Sequence, residues 1–400
     1  KNFLIFIKKM YDFLNDVRVL DLTRLLPGPV CTHHLNEFGA EVIKIEDINS
    51  GDYARDFSTK SSNFWPVFYT INRNKKKIAI NLKTTIGKEI FFKLLKKSHV
   101  VVESFRPGVM KKLGIDFDAC KKINKTIVYC SISGYGQNGP LSNKSGHDIN
   151  YLGYSGLLSQ IGNKDNLCLP NFQIADLFGG AIYPAFSIAS ALYKNKNKKQ
   201  SVLLDISMTD VVYTHNFHGL SNMIEGIDKN SKPGKDLLNG REACYNIYKT
   251  KDNRYFALGA LEFKFWREFC NVIKREDLIA QHWSFKKSNS SITKREVKKV
   301  FLKKTFKEWI NIFKNTDCCA TPILDFKETI SDQQIKDRKL LDMDTNQQFF
   351  QAPIKTNMKF KKIDPQSIEQ GSNTIEIMTG LKYSKKEINQ YINENIIFSS

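Results

Sequence analysis

The chain has 400 residues, of which 41% are hydrophobic and 12% aromatic, and its 61 Lys and Arg against 41 Asp and Glu give a formal net charge of +20. This composition is typical of a folded protein with a substantial core and excludes an intrinsically disordered chain. The length predicts one large domain or two medium ones.

The excess positive charge is spread along the chain in short groups of lysine, such as Lys75–Lys77, Lys121–Lys122 and Lys194–Lys199. Aromatic residues do not interleave with these groups as they do in nucleic-acid-binding motifs. We therefore predict no nucleic-acid partner. Because local positive charge concentrates anionic ligands, a basic groove for an anionic cofactor is the better interpretation.

The cysteine pattern and the apolar runs indicate the cellular compartment of the protein. Eight Cys occur without CxxC or zinc spacing, which predicts free thiols and no metal site. Free thiols predict a reducing location, the cytoplasm, with an organelle matrix as the alternative. The longest apolar run, Ile182 to Tyr193, is too short for a transmembrane helix, so we expect no membrane insertion. The opening KNFLIFIKK is too short in apolar residues for a secretory signal, and Met10 is a candidate start.

From Val17 onward, short β-branched runs alternate with helical stretches. Strands are predicted at Val17–Leu22, Glu41–Glu46, Ile78–Leu82, Val100–Glu103, Ile127–Ser131 and Val202–Ile206. Helices are predicted from the Pro27–Pro29 turn to Phe38 with Gly39 as the stop, at Thr85–Lys97, at Asp176–Tyr193, and from Met208. This alternation predicts an α/β fold, with a large Rossmann-like domain over 10–225 built on a mainly parallel sheet.

A charged, Gly-containing stretch, Gly226 to Gly240, interrupts this rhythm and is typical of a linker. We predict a smaller α+β domain over 226–330 and a polar tail over 331–400 with little periodicity. The elements expected in the smaller domain are a hairpin of Ala243–Lys249 and Tyr255–Leu261, and helices near Phe263–Ile273, Lys294–Phe301 and Phe306–Phe313.

His147 is the first candidate for chemistry. It lies in GHDINY, after the Gly- and Pro-rich loop SGYGQNGP that leaves the strand Ile127–Ser131. Loops beyond the carboxyl ends of strands are where α/β sheets bind ligands, and an imidazole can act as a base near neutral pH. A histidine that merely ties such a loop together by hydrogen bonds is the commoner case.

Two carboxylates complete the set of candidates. Asp176, in QIADLFGG, stands at a helix start, where an Asp is most often a cap. Its apolar neighbours predict dry surroundings, which would raise its proton affinity. Glu262, in GALEFKFW, follows a strand, and a carboxylate bonded to an imidazole fixes its tautomer. Taken alone, a strand-end Glu is more often a cap or half of an ion pair.

Together these segments resemble one family. The chain is similar to the family III CoA-transferase (CaiB/BaiF-like) superfamily and, within it, to the α-methylacyl-CoA racemases, from Val17 to about Leu341. The motifs that carry the resemblance are VLDLTRLLPGPVCTHHLNEFGAEVIKIE, GDYAR, NRNKKKIAINL, ESFRPGVMKKLGI, SISGYGQNGP, GHDINY, QIADLFGG and ACYNIYKTKDNRYFALGALEFKFW.

The resemblance implies more than the residues alone. It implies a large α/β domain, a smaller second domain, a C-terminus that returns to the first, and an interlocked homodimer. It also implies an acyl-CoA substrate and no cofactor beyond the coenzyme A of that substrate.

The resemblance assigns roles to the candidate residues. Asp176 would be an acid/base in a racemase and a nucleophile in a transferase. His147, supported by Glu262, would serve one face of the α-carbon and Asp176 the other. Asp148 and the Gly146 loop would hold the thioester oxygen, where charge develops in the enolate.

The same resemblance implies contacts to coenzyme A, whose phosphates require cations. The implied positions are Lys44, Arg73, Arg106, Lys112 and Tyr151. Lys112 stands where racemases of the family carry Arg, and a lysine there would loosen a bidentate phosphate contact.

Three functions compete at this point. The first is a racemase that exchanges the α-proton of a 2-methylacyl-CoA by two bases. The second is a transferase that moves CoA between carboxylic acids through an acylated Asp176. The third is an inactive CoA-binding protein, which the presence of His147, Asp176 and Glu262 argues against. Transferases of the family carry a glycine-rich loop where this chain has GALEFKFW, which favours the racemase.

Overall fold

The computed structural model describes residues 8–56, 66–163, 166–227, 232–342, 349–358, 361–363 and 367–400. These residues divide into two compact units. Unit 1 holds the described residues of 1–156, 171–216 and 340–400, and unit 2 holds those of 157–170 and 217–339. Unit 2 contains the second domain predicted over 226–330. It also takes 157–170 and 217–225 from the range assigned to the first domain, and 331–339 from the predicted tail.

The strands run in chain order through both units. They are β1 (Lys8–Met10), β2 (Arg18–Leu22), β3 (Glu41–Glu46), β4 (Lys76–Ile80), β5 (Val100–Glu103), β6 (Val128–Ser133), β7 (Val202–Ser207), β8 (Tyr245–Lys249), β9 (Tyr255–Gly259), β10 (Ala320–Pro322), β11 (Leu341–Asp342), β12 (Phe349–Phe350), β13 (Lys361–Ile363) and β14 (Ile397–Phe398).

The α-helices are α1 (Pro27–Glu37), α2 (Pro66–Asn72), α3 (Thr85–Leu95), α4 (Val109–Leu113), α5 (Phe117–Ile123), α6 (Asp148–Tyr154), α7 (Tyr183–Lys198), α8 (Met208–His215), α9 (Phe217–Ile224), α10 (Phe263–Val272), α11 (Ser290–Phe301), α12 (Phe306–Phe313), α13 (Phe326–Ser331), α14 (Gln333–Asp337), α15 (Thr374–Gly380) and α16 (Lys385–Asn393). A π-helix, Ala175–Ile182, leads directly into α7, and 3₁₀ turns lie at Tyr53–Asp56, Leu157–Gln160, Leu237–Asn239 and Glu276–Gln281.

Unit 1 is built on a sheet of seven strands in the described residues, in the order β14-β4-β3-β2-β5-β6-β7. Strands β2 to β7 run parallel, and β14 pairs antiparallel with β4 at the edge. The order of the parallel strands is that of a doubly wound dinucleotide-binding sheet, whose switch point lies between β2 and β5. The predicted α/β fold and the C-terminal return to the large domain are confirmed.

The parallel strands and the two C-terminal helices share the apolar core of unit 1. Strands β2 to β6 are almost continuously buried, as expected of parallel strands covered on both faces. The tail predicted to have little periodicity contains α15 and α16. These helices bury Ile377, Met378 and Ile388 in the same apolar cluster as Leu20 and Phe91. The tail is therefore part of the core of the large unit.

Unit 2 is a smaller α+β unit around a second apolar cluster. Strands β8 and β9 form the predicted antiparallel hairpin, and β10 pairs with β9. Helices α10, α11 and α12 contribute five buried aromatic residues to its core: Trp266, Phe269, Phe301, Trp309 and Phe313.

The π-helix and α7 form one continuous helix that is longer than the predicted Asp176–Tyr193. It runs over Ala175–Lys198, and by length and composition it could cross a membrane. One such helix is weak support for a membrane span, because core helices have the same composition. Here the π-helix packs against α1 and α8 within unit 1.

Two adjacent glycines allow this close packing. A Cβ on Gly179 would lie 2.9 Å from the Met208 carbonyl oxygen, and one on Gly180 would lie 2.5 Å from the Pro27 Cβ. The glycine pair after Asp176 therefore brings the π-helix against the first turn of α1 and the start of α8.

Candidate active site

The loop that follows β6 is fixed by strand-end side chains. The Gly136 N–H donates to Ser133 Oγ at 3.0 Å, and the Gln137 N–H donates to the carboxylate of Asp205 at 3.1 Å. Asp205 lies on β7 and Ser133 ends β6, so both anchors belong to the carboxyl edge of the sheet. These bonds fix the start of the loop. The loop ends at the segment GHDINY, in which α6 begins.

Tyr151 fills the space behind this loop. Its hydroxyl donates to the Gly146 carbonyl oxygen at 2.5 Å, and the side chain is 7% exposed. A Cβ on Gly146 would lie 2.7 Å from the Tyr151 ring, and one on Gly134 would lie 2.3 Å from it. Any residue with a Cβ at Gly134 or Gly146 would therefore clash with the Tyr151 ring. A contact of Tyr151 with coenzyme A stays a prediction.

His147 occupies the N-cap position of α6, with an extended backbone at φ −128°. Its backbone N–H donates to Asn150 Oδ1 at 3.0 Å, while the residue as a whole is exposed. The main chain of His147 is thus fixed, and its imidazole is accessible to a ligand.

Asp148 links this loop to the second candidate base. Its Oδ1 accepts the Asp176 N–H at 3.0 Å, and the Asp148 side chain is buried. The carboxylate side chain of Asp148 and the backbone of Asp176 are therefore in direct contact, with His147 next to Asp148 in the chain. Five predicted residues, Gly146, His147, Asp148, Tyr151 and Asp176, belong to this one region of unit 1.

The surroundings of Asp176 change its acidity. Burial, followed by the negative charge of Asp148, raises the pKa of Asp176 to about 7. Burial also raises the pKa of Tyr151, and the charge of Asp176 adds to that effect. A carboxyl group with a pKa near 7 can both accept and donate a proton at neutral pH. Asp176 is also the second residue of the π-helix, an element that occurs often at functional sites.

Glu262 lies in unit 2, at the N-cap position of α10. It is exposed, and among the described residues its side chain makes no helix-capping hydrogen bond. The simpler interpretation of Glu262 as a cap therefore has no support in α10. The pairing of Glu262 with His147 stays a prediction.

A cavity of about 350 Å³ lies at the carboxyl ends of β2, β3, β4 and β5. This is the switch-point edge of the sheet, where doubly wound folds bind their ligands. The residues that line the cavity are Leu22, Arg24, Ile45, Glu46, Asp47, Ser50, Tyr53, Ile80, Leu82, Lys83, Phe105, Val109 and Leu113. Its wall thus combines apolar side chains, two aromatic rings, two cations and the two acidic residues Glu46 and Asp47.

The predicted phosphate-binding cations divide into two groups. Lys44 and Arg73 are 0% and 4% exposed, so both are inside the protein. Lys44 forms an ion pair with Asp52, and Arg73 donates to Glu37 Oε1 and to the Phe350 carbonyl oxygen. A phosphate contact by either residue would require these bonds to open, and it stays a prediction.

Arg106 and Lys112 are both exposed. They flank Phe105, Val109 and Leu113, which line the cavity. Both cations are therefore accessible next to the cavity wall, as a phosphate contact requires, and that contact stays a prediction.

Arg24 and Lys83 line the cavity but were given no role in the sequence analysis. Arg24 follows β2 closely, within DLTRLLPGP. The signal that could have identified it is its position as the first cation beyond the carboxyl end of a central strand.

The fold and the site define a class: a doubly wound α/β protein with a switch-point cavity and a protonatable carboxyl group beside a histidine-bearing loop. The sequence pattern of CoA-transferase family III matches residues 14–367, and the chain belongs to this family.

Relatives within the family differ in activity. The chain is 31% identical over 392 residues to the alpha-methylacyl-CoA racemase of Mus musculus, covering 96% of this chain and 98% of that protein. It is 29% identical over 329 residues to the succinyl-CoA:glutarate CoA-transferase of the same species, covering 80% of this chain and 74% of that protein. A CAIB/BAIF family protein from Brucella suis has the same fold at 23% identity, with a TM-score of 0.76 over 91% of this chain and 98% of that one.

Proposed function

We propose that the protein is an acyl-CoA racemase that interconverts the two configurations at the α-carbon of a 2-methylacyl-CoA. The observation that carries the proposal is the carboxyl group of Asp176, whose pKa is raised to about 7 beside Asp148 and the His147 loop. A carboxyl group that is half protonated at neutral pH suits proton exchange. A nucleophile that attacks a thioester has to be ionised, and about half of the carboxyl groups with this pKa are ionised at neutral pH, so the two roles have to be distinguished by experiment.

The proposed reaction moves one proton off and another on. One of His147 and Asp176 begins deprotonated and removes the α-hydrogen, which leaves an enolate. The other begins protonated and donates to the opposite face, so the site ends in the reverse protonation state. The backbone N–H groups near Gly146 would be the donors for the thioester oxygen. Asp148, whose carboxylate accepts the Asp176 N–H, would hold this region in place.

The coenzyme A part would occupy the switch-point cavity. Its walls offer apolar and aromatic surface for an adenine ring, and Arg24 and Lys83 offer charge for phosphates. Arg106 and Lys112 are exposed next to it. We propose no cofactor beyond the coenzyme A of the substrate.

The test is α-proton exchange without an acceptor acid. Enzyme is incubated with one enantiomer of a 2-methylacyl-CoA in D₂O, and mass spectrometry and chiral analysis follow the acyl chain. We expect one deuterium at the α-carbon together with the opposite configuration. Enzyme carrying Asp176→Asn is the matched control, because it keeps the size of the side chain and removes the base. Absence of exchange by the unaltered protein would contradict the racemase.

A family III CoA-transferase is the second candidate, because a relative of that activity is 29% identical. In that case Asp176 would be acylated and CoA would be released. Hydroxylamine or borohydride added during turnover would then trap Asp176, with the modified peptide visible by mass spectrometry. The racemase proposal expects an unmodified Asp176 and no free CoA.

We also propose the interlocked homodimer that the resemblance implies. Light scattering after size-exclusion chromatography should give the mass of two chains at all working concentrations, and a mass of one chain would contradict it.

A further inference from the structure

We infer that the buried ion pair of Lys44 and Asp52 is a clamp that aims Arg24 into the switch-point cavity. Lys44 and Asp52 would then be positioning residues, and Arg24 the cation that meets the ligand. The inference rests on the proposed function only in taking coenzyme A as that ligand.

Lys44 holds one side of Arg24. It lies on β3, is 0% exposed, and its Nζ donates to the Thr23 carbonyl oxygen at 2.9 Å. That carbonyl belongs to the peptide group between Thr23 and Arg24. The same Nζ lies 2.9 Å from Asp52 Oδ2. Burial alone would lower the pKa of Lys44, but the charges of Asp52 and Asp21 outweigh it and raise the pKa. The ammonium therefore stays charged.

Asp52 holds the other side. It is 0% exposed, and its Oδ1 accepts the Leu25 N–H at 2.9 Å and the Ala54 N–H at 3.0 Å. The Leu25 N–H belongs to the peptide group between Arg24 and Leu25. The two members of one ion pair thus hold the two peptide groups that flank Arg24. A third bond runs from the Arg24 N–H to Ser104 Oγ at 3.2 Å.

The backbone at this turn needs such a clamp. Leu25 has a φ of +66°, in the left-handed region that residues with a Cβ rarely adopt. Conformations of this kind persist where the surrounding structure holds them, and they cluster at functional sites. Without the bond from Leu25 to Asp52, the turn would relax toward ordinary backbone angles and carry Arg24 with it.

The side chain of Arg24 is oriented by the same loop. Its Nη1 donates to the Tyr53 hydroxyl at 2.9 Å, and Tyr53 directly follows Asp52. The guanidinium carbon lies 4.9 Å from the centroid of the Tyr53 ring and 5.1 Å from that of Phe105. Stacked in this way, a guanidinium presents its remaining N–H groups in a fixed plane, which suits bidentate binding of a phosphate.

The experiment measures binding of free coenzyme A by isothermal titration calorimetry, so it does not depend on turnover. The variants are Arg24→Ala, Lys44→Met and the double variant. Arg24→Ala should weaken binding about tenfold or more, as loss of a charged hydrogen-bonding partner does. Lys44→Met should weaken it by a similar factor in the unaltered chain, but less than about twofold when Arg24 is already replaced by alanine, because groups acting through one another are not additive.

Lys77→Met is the matched control. Lys77 is also 0% exposed, but its ammonium donates to the carbonyl oxygens of Lys75 and Ser367 and not to the Thr23–Leu25 turn. It should leave the affinity for coenzyme A within about twofold, although it removes an equally buried lysine, whose pKa burial lowers to about 7. A loss of affinity in Lys77→Met as large as that in Lys44→Met would overturn the clamp.

Removing one partner can unfold a protein, because it leaves the other charge buried alone. Lys44→Met combined with Asp52→Asn removes both charges, and the amide oxygen of the asparagine can still accept the Leu25 N–H. If Lys44→Met alone does not fold, this combination replaces it in the binding measurements. Additive losses with Arg24→Ala in either background would overturn the inference. Failure of the unaltered protein to bind coenzyme A at all would instead contradict the proposed function.

Discussion

Asp176 and Asp148 show how one residue can set the chemistry of another. The two are joined by a hydrogen bond of 3.0 Å from the backbone of Asp176 to the carboxylate of Asp148. That bond fixes the start of the π-helix, while the negative charge of Asp148 adds to the effect of burial on the pKa of Asp176. Asp148 thus positions the backbone of Asp176 and adds to the rise in its pKa that burial causes.

The pH dependence of turnover should report the pKa of Asp176. At a pKa of about 7, Asp176 loses its proton as the pH rises through neutrality. For the enantiomer from which Asp176 removes the proton, kcat/KM should rise through about pH 7. For the other enantiomer, Asp176 must begin protonated, so kcat/KM should fall as the pH rises over the same range. Rates of α-deuteration measured separately for each enantiomer from acidic to alkaline pH check this, and pH-independent rates would contradict it.

Asp148→Asn should move this change in kcat/KM, which reports the ionisation of Asp176, to lower pH. The substitution removes the charge that helps to raise the pKa of Asp176, so the pKa falls. Asparagine keeps an oxygen that can accept the Asp176 N–H, which leaves the backbone contact in place. The measurement is the same pH series on the variant. A change in kcat/KM that stays at its original pH would mean that burial alone sets the acidity of Asp176.

At the scale of elements, the sequence predicted what depends on local pattern. Strands β3 and β5 have the predicted bounds, because continuous β-branched runs in a parallel sheet are buried on both faces. Strand β4 begins at Lys76, two residues before the prediction, and it buries Lys77. The acceptors of Lys77 include the Ser367 carbonyl oxygen, 290 residues away. A contact between residues so distant in the chain cannot be read from local pattern.

The Pro-Gly-Pro segment was predicted as a turn and is instead the first turn of α1. A proline at that position loses no helical hydrogen bond, since the first N–H groups of a helix have no partner within it. The π-helix also escaped prediction. Its course depends on packing against Met208 and Pro27, which lie far from it in sequence.

Gly180→Ala should therefore destabilise unit 1. Alanine is the better helix former by about 1 kcal/mol, but its Cβ would lie 2.5 Å from Pro27 Cβ and 2.7 Å from Met208 Sδ. The clash should dominate and lower both the melting temperature and the rate of α-deuteration. Gly153→Ala, in α6 with open space around the added Cβ, is the matched control and should be neutral or stabilising. Equal melting temperatures for the two variants would show that the contact of the π-helix relaxes freely.

At the scale of the whole molecule, the two units have separate cores, and the second depends on one ring. Phe301 is 0% exposed and contacts Tyr248, Phe269 and Trp309 with ring centroids 5.0 to 6.0 Å apart. Phe301→Ala should lower the free energy of unfolding of unit 2 by about 3–5 kcal/mol. Urea denaturation followed by tryptophan fluorescence measures this loss, since Trp309 lies in the same core.

Phe326→Ala is the matched control for that substitution. Phe326 belongs to the same unit and is 82% exposed, so its removal should change the free energy of unfolding by less than about 0.5 kcal/mol. A large loss of unfolding free energy in Phe326→Ala would show that this exposed side chain contributes to stability, contrary to the prediction.

The last prediction concerns the support of His147 by Glu262 that the resemblance implies. If Glu262 acts through His147, by fixing its tautomer and raising its basicity, the effects of replacing the two residues are coupled. His147→Ala should lower the rate of α-deuteration by about 10²–10⁴ and leave coenzyme A binding intact. Glu262→Gln should cost less, and in the His147→Ala background it should cost almost nothing, because groups that act as a unit are strongly non-additive.

The measurement is a double-mutant cycle on kcat, with calorimetric binding of coenzyme A as the check on folding. Glu268→Gln offers a matched control, since Glu268 is an exposed carboxylate on the same helix, α10. It should leave kcat unchanged in both backgrounds. Sequence could propose the pairing because GHDINY and GALEFKFW occur in one chain, but local pattern does not encode whether residues so far apart in the chain meet. Fully additive losses for Glu262→Gln and His147→Ala would assign Glu262 a role independent of His147, and the proton transfer would then have to rest on Asp176 and His147 alone.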